Sequence, residues 1–235
     1  MIKSGIDQDA LIDMFAEASA KQGDKLRKAV ADATLKALQG REVTLENVRK
    51  VIKTVTQAAS AGAEKNPASA VDVEAMLRKA FDGMDAALLK AVEANRKALQ
   101  QLLDQGAGLR ETQVKAALDG VEKMEDLFFS AVGKAVQGVS TPLQGPWQQV
   151  LKSMKLEGTA TGAGAAQTVE QLMSQTQDAL RKGRATSLRA SQTLLDSYAA
   201  MVSGVLIGMS EGLGGPVPMA DKPKAAPAKK RAASK

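Results

Sequence analysis

Cysteine and histidine are both missing from this chain of 235 residues. Without cysteine there is no disulfide to staple the fold and no thiolate to ligate a metal. Without histidine the commonest general base and the commonest imidazole ligand are gone, and with them every Ser-His-Asp or Cys-His arrangement. Aromatic residues make up only 3%, with one Trp, one Tyr and four Phe. The 44% hydrophobic fraction is swollen by alanine, which favours helices but buries little area. Close-packed long helices suit that composition, and a thick multilayer core does not. No uncharged apolar run reaches the ~18 residues of a membrane span. The opening MIKSGIDQDALIDMF places acids where a secretory signal needs an apolar stretch, so none is expected.

Charge is present but unevenly spread. The chain carries 32 Lys and Arg against 26 Asp and Glu. The last fifteen residues, DKPKAAPAKKRAASK, hold six of those cations (Lys222, Lys224, Lys229, Lys230, Arg231, Lys235) and one acid, Asp221. The other 220 residues keep 26 cations and 25 acids and are nearly neutral. The pI near 9.4 is therefore a property of the tail. Six cations neutralise at most about six phosphates, in a salt-sensitive, sequence-blind contact. The tail has no aromatic to stack on bases, and anionic lipid is an equal electrostatic candidate. The alternative is a tail that serves only solubility.

Hydrophobic spacing is helical throughout and predicts an all-α fold of long amphipathic helices, in antiparallel hairpins or a bundle, with a disordered basic C-terminal tail. A first helix is expected over about 6–39, with Leu11, Phe15, Leu26 and Val30 in its stripe and Gly23 placed to bend it. A second begins at the N-cap Thr44 and runs to about 61 through Val48, Ile52 and Val55. Here period outweighs the strand propensity of the β-branched residues. Asn66-Pro67 ends that unit. The third helix is the most regular: Leu77, Phe81, Met84, Leu88, Ala91, Asn95, Ala98 and Leu102 follow alternating steps of four and three. Leu77, Phe81, Met84, Leu88, Asn95 and Leu102 are the candidate oligomer or bundle face. Asn95 either fixes register within it or lies solvated at its edge.

Gly106-Ala107-Gly108 predicts a hairpin to a fourth helix, through Val114, Leu118, Val121, Met124, Phe128, Val132 and Val139, as an antiparallel neighbour of the third. Pro142, Gly145 and Pro146 should stop it, leaving a short helix over 147–156. The stretch GTATGAGAA at 158–166 lacks the Lys-Ser/Thr of a phosphate loop and reads as a flexible linker. A last helix is expected over about 168–212, with a basic cluster at Arg181, Lys182, Arg184 and Arg189. The domain reading is an N-terminal helical pair (1–65), a central hairpin plus short helix (66–157), a linker (158–166), a long C-terminal helix (167–213) and a disordered tail (214–235).

Residues 197–210 contain no charge. Fourteen residues rise only ~21 Å as a helix, short of a ~30 Å bilayer core. Gly204, Gly208 and Gly212 recur every fourth residue and suit close helix contact. Met201, Val202, Gly204, Val205, Leu206, Gly208 and Met209 are thus expected either to pack inside the protein or to lie on an apolar surface. Carboxylate pairs such as Asp7/Asp9, Glu122/Glu125 and Glu125/Asp126 read as solvated helix charge. No catalytic residue, metal ligand or cofactor site is expected, and no calcium loop is present.

Two stretches resemble bacterial phasins, the proteins that coat polyhydroxyalkanoate storage granules. One is VEANRKALQQL at 92–102, with its Asn-x-Lys-Ala-Leu step at 95–99, continuing to about 127. The other is PAKKRA at 227–232, similar to tails on several granule-associated proteins. The resemblance implies a non-catalytic amphipathic helical scaffold on a granule or similar apolar surface, with the basic tail as a tether to an anionic partner. Self-association is expected on other grounds, because exposed alanine-rich stripes are marginal in a monomer and pairing buries them, and the lack of cysteine is compatible with a cytoplasmic bacterial protein. Two other classes stay open: a nucleoid-associated protein that binds DNA non-specifically through the tail, and an intracellular helical adaptor.

Overall fold

The computed structural model describes residues 7–17, 23–39, 43–66, 70–104 and 111–182, together with Val202, Val205 and Leu206. Among them every regular element is an α-helix: α1 (Gln8–Glu17), α2 (Gly23–Gln39), α3 (Leu45–Lys65), α4 (Ala70–Asp104), α5 (Glu111–Glu122), α6 (Met124–Val136), α7 (Thr141–Glu157) and α8 (Ala160–Lys182). The chain is all-α, as its periodicity predicts.

Local chemistry sets several helix ends. Asp7 starts α1 by accepting from the Ala10 N–H at 3.0 Å. Thr44 caps α3 as expected, its hydroxyl accepting from the Asn47 N–H at 3.2 Å. Asn66 closes α3 in extended backbone, with its N–H returned to the Ala63 carbonyl. Its side-chain Nδ2 donates to the Phe15 carbonyl at 2.7 Å, tying the end of α3 to α1.

Packing pairs the helices across the sequence. α1 lies against α3, and α2 lies along α4. Both crossings pass over a glycine. A Cβ at Gly62 would stand 2.4 Å from the Ile12 carbonyl oxygen, and one at Gly83 would stand 2.5 Å from that of Arg27. Only a hydrogen fits either gap, so those backbones approach as closely as Gly permits. The helix expected over 6–39 is therefore described as two helices with different partners. The 18–22 stretch between them lies outside the described residues.

The main core gathers Leu11 and Phe15 of α1, Leu26 and Val30 of α2, Val48 to Ala63 of α3 and Leu77 to Val92 of α4. Phe128, Trp147 and Met154 close it from α6 and α7. Phe81 meets Phe128 with ring centroids 4.4 Å apart, and Phe129 joins at 5.6 Å. This contact bridges α4 and α6. A second buried cluster, Leu99, Leu118 and Leu172, sits at the other end of α4 with α5 and α8.

Four expectations are corrected. The predicted fourth helix is divided at Lys123 into α5 and α6. α5 touches α4 but leans more on α8, while α6 turns to α3, so the α4 hairpin is not the dominant pairing. Pro142 and Pro146 do not stop a helix: α7 starts at Thr141, with Pro142 in its first turn and Pro146 inside it. A first-turn proline forfeits no helical bond, because that N–H has no partner there anyway. Finally, 158–166 is not a flexible linker. Gly158, at φ +80, ends α7, and α8 begins two residues later.

Candidate functional site

The turn between α7 and α8 is the most heavily hydrogen-bonded junction among the described residues. A helix start leaves its first N–H groups without partners, and a glycine-rich sequence does nothing to help. Here two partners come from Asp85 of α4 and one from Thr159 in the turn, which Glu125 of α6 holds in place. Asp85 of α4, 6% exposed, accepts from the Ala160 N–H at 2.8 Å and from the Thr161 N–H at 3.0 Å. The Thr159 hydroxyl accepts from the Gly162 N–H at 2.9 Å and donates its own proton to the Glu125 carboxylate of α6. The Thr161 hydroxyl donates to the Asp85 carbonyl at 3.0 Å. The Ala163 N–H then opens the regular ladder by bonding the Thr159 carbonyl. A buried carboxylate at a helix N-terminus also meets the positive end of the helix dipole. This supply of acceptors turns a Gly/Ala/Thr stretch into the first turns of α8.

A second polar chain crosses the main core. The Trp147 Nε1 donates to the Ser60 Oγ at 2.9 Å. Ser60 in turn donates to the Thr56 carbonyl at 2.8 Å, and Thr56 donates to that of Ile52 at 2.9 Å. The two hydroxyls thus give the buried indole a partner without leaving a donor unpaired.

On the surface, Arg78 of α4 reaches α7, where its guanidinium donates to the Ser153 Oγ at 3.1 Å and pairs with Glu157. Hydrogen bonds from Ser153, then from Arg78, hold the Glu157 carboxyl below its ordinary range. Asp82, one helical step from Arg78, is pushed upward instead. Burial outweighs the attraction of Arg78, Lys79 and Arg27.

The predicted site residues fall out as follows. Leu77, Phe81, Met84 and Leu88 are fully buried in the protein's own core, so that face is a bundle face, filled within the chain. Asn95 is buried, and its Nδ2 donates to the Ala91 carbonyl of its own helix at 2.8 Å. It does not lie solvated at an edge. The Leu102 side chain lies outside the described residues. Of the 197–210 stretch, Val202 and Leu206 are buried in the main core and Val205 packs against it. The Gln39 Nε2 donates to the Leu206 carbonyl at 3.4 Å, linking this segment to the end of α2. Met201, Gly204, Gly208 and Met209 lie outside the described residues, as do the tail cations Lys222, Lys224, Lys229, Lys230, Arg231 and Lys235. The cap residues Asp85, Thr159 and Thr161 escape sequence reasoning because Asp85 lies 75 or 76 positions from the groups it caps and Glu125 lies 34 from Thr159.

Grooves border these elements among the described residues. One of about 410 Å³ lies between α6 and α8 over Ala165, Ala166 and Val169, with Glu122, Glu125 and Glu170 at its rim. One of about 300 Å³ sits by Pro142 and Pro146. Another, of about 180 Å³, lies between α4 and α8 beside Glu93, Arg96 and Gln167. Among the described residues no group of three or more carboxylates converges on a point that could hold a metal ion. No described helix is long and apolar enough to cross a membrane.

The model of a family of unknown function, DUF6781, matches residues 1–215, and the chain belongs to that family. No curated protein and no solved structure matches it. The match takes in the whole helical body and stops short of the basic tail at 221–235.

Proposed function

We propose that the chain is a non-catalytic, phasin-like helical protein that associates with the surface of polyhydroxyalkanoate storage granules or a similar apolar surface. Its basic tail then engages an anionic partner. One observation supports this reading above the others: where the phasin-like stretch falls in the fold. The 92–102 segment leaves the main core at Ala98 and enters the small cluster of Leu99, Leu118 and Leu172. The helices gathered there, the end of α4 with α5 and α8, are amphipathic. Beside them Met173 is 47% exposed.

In this reading the distal helices part and lay their apolar stripes on the surface, while the main core stays folded. The buried Val202 and Leu206 belong to that core, so this reading gives those two side chains no part in docking. Surface binding of this kind scales with the apolar area that a helix face can bury.

Expressed as a fluorescent fusion in a granule-forming cell, the full chain should ring the granules. Diffuse fluorescence would sink the reading. A chain without 221–235 should still ring them but lose retention of anionic partners. If the truncated chain retards DNA as well as the full one does, the tail is not the anionic contact.

A further inference from the structure

The α6–α8 groove has a feature the surface reading does not use. Its floor is small and apolar, made of Ala165, Ala166 and Val169, and its rim carries only carboxylates. Glu122 and Glu170 are exposed to solvent. Glu125 is anchored by the Thr159 hydroxyl. Lys123, next in sequence to Glu122, pairs with Asp119 at 3.6 Å. The body as a whole is close to neutral, so this is a local concentration of negative charge over an unfilled apolar trough.

The chain itself carries the complement. Its last fifteen residues hold six cations and one acid. Leu206 is buried in the main core, and Lys222 lies sixteen positions further along the chain. Extended, they span about 50–60 Å, roughly the length of α4 at ~1.5 Å per residue. The linking chain is therefore long enough to run the length of the longest helix. Its alternation of Pro and Ala with Lys suits such a trough. Docked there, its small residues would meet the alanine floor, and its lysine stems would cover Val169 with their ammonium groups at the rim.

We propose that the basic segment 222–231 docks in the α6–α8 groove of its own chain, with Glu122 and Glu170 as its counter-charges. Docking is intramolecular, so an individually weak contact is helped by a local concentration in the ~mM range. An anionic partner then competes with the groove for the same cations, and the tail is offered only where the partner wins. This arrangement goes beyond the granule reading and operates in dilute solution whether or not the chain meets a surface.

The absence of cysteine makes the test direct. A spin label on Ala232→Cys is the only thiol label in the full chain. At low salt it should broaden the amide signals of Gly162, Ala166 and Glu170. The broadening should vanish in 1 M salt, where the screening length is ~3 Å. It should also vanish in the Glu122→Lys/Glu170→Lys variant, whose two sites are exposed and whose fold is checked by helical circular dichroism. In that variant trypsin should cut the tail several-fold faster, and anionic vesicles should bind more tightly. Broadening that is absent at low salt, centred on another face, or unchanged by the two substitutions overturns the proposal. So does broadening seen only when labelled and unlabelled chains are mixed, which assigns the tail to a second copy.

Discussion

The two ends of α4 live in different surroundings. From Leu77 to Val92 the helix is wrapped by α2, α7 and α8 and touches the rings of α6. Its own Phe81 packs on Phe128, and Trp147 belongs to the same core; all three are fully buried. From Leu99 onward the described neighbours are Leu118, Leu172, Ala117 and Val169, with no aromatic and no buried polar chain among them. One continuous amphipathic stripe thus serves two kinds of packing. The stripe's period makes the helix, but the size of what faces it decides how firmly each end is held, since buried area sets the gain. Opening one end of a helix while the other stays folded is the behaviour expected of unequal local stability.

Substitutions at the two ends should separate them. Phe128→Ala removes a ring that packs on both Phe81 and Phe129 and should cost ~3–5 kcal/mol, lowering the urea midpoint of the whole protein. Asp85→Ala strips two N–H partners from the start of α8 and should cost ~2–3 kcal/mol. Here hydrogen exchange should quicken first at 160–163, and equal protection there would show that the cap is dispensable. Leu172→Ala should cost ~2 kcal/mol, at the low end for a buried leucine. Its signature is faster exchange along α5 and the end of α4, with α3 unchanged. If α3 loosens equally, the two ends form one cooperative unit and the contrast fails.

The smallest effect is one of pH. Asp82 has its folded value raised by burial, so folding favours the protonated form, and stability falls as pH rises through the window above the ordinary Asp value. Asp82→Asn should abolish that slope and leave the protein more stable at neutral pH. Glu157 runs the other way. Its value is lowered by Ser153 and Arg78, so its contribution is present at neutral pH and is lost as pH falls through the carboxylate range. Glu157→Gln should therefore flatten the acid limb of a stability profile that Asp82→Asn leaves in place.

How much of this the residues announce depends on the distance over which each signal acts. The caps at Thr44 and Asn66 and the stripe of α4 are written within a few positions, and they are legible. The stretch 158–166 is not, because composition speaks for flexibility and the acceptors that overrule it sit on Asp85 and Glu125. Pro142 misleads for a related reason, since a proline is tolerated in a helix's first turn, and Pro146 sits inside α7 despite the bond it forfeits. Spacing alone also cannot say whether Leu77, Phe81, Met84 and Leu88 face a second chain or the same one. That depends on helices elsewhere in the sequence, and here α2, α6 and α7 fill the face. Val202 and Leu206 show the same limit. An uncharged segment can pack inward or dock outward, and the outcome rests on whether the body has a place for it.

The hydrogen bond from Trp147 to Ser60 has a spectroscopic consequence. Trp147 is the chain's single tryptophan, fully buried between α3 and α7, with its indole donor held by a neutral hydroxyl. Its emission should be blue-shifted and should redden only when those two helices part. Excited selectively, this tryptophan watches the aromatic end of α4 and is blind to the leucine end. A denaturation curve followed by that fluorophore, set beside one followed by total helicity, would display the two ends as two separate transitions.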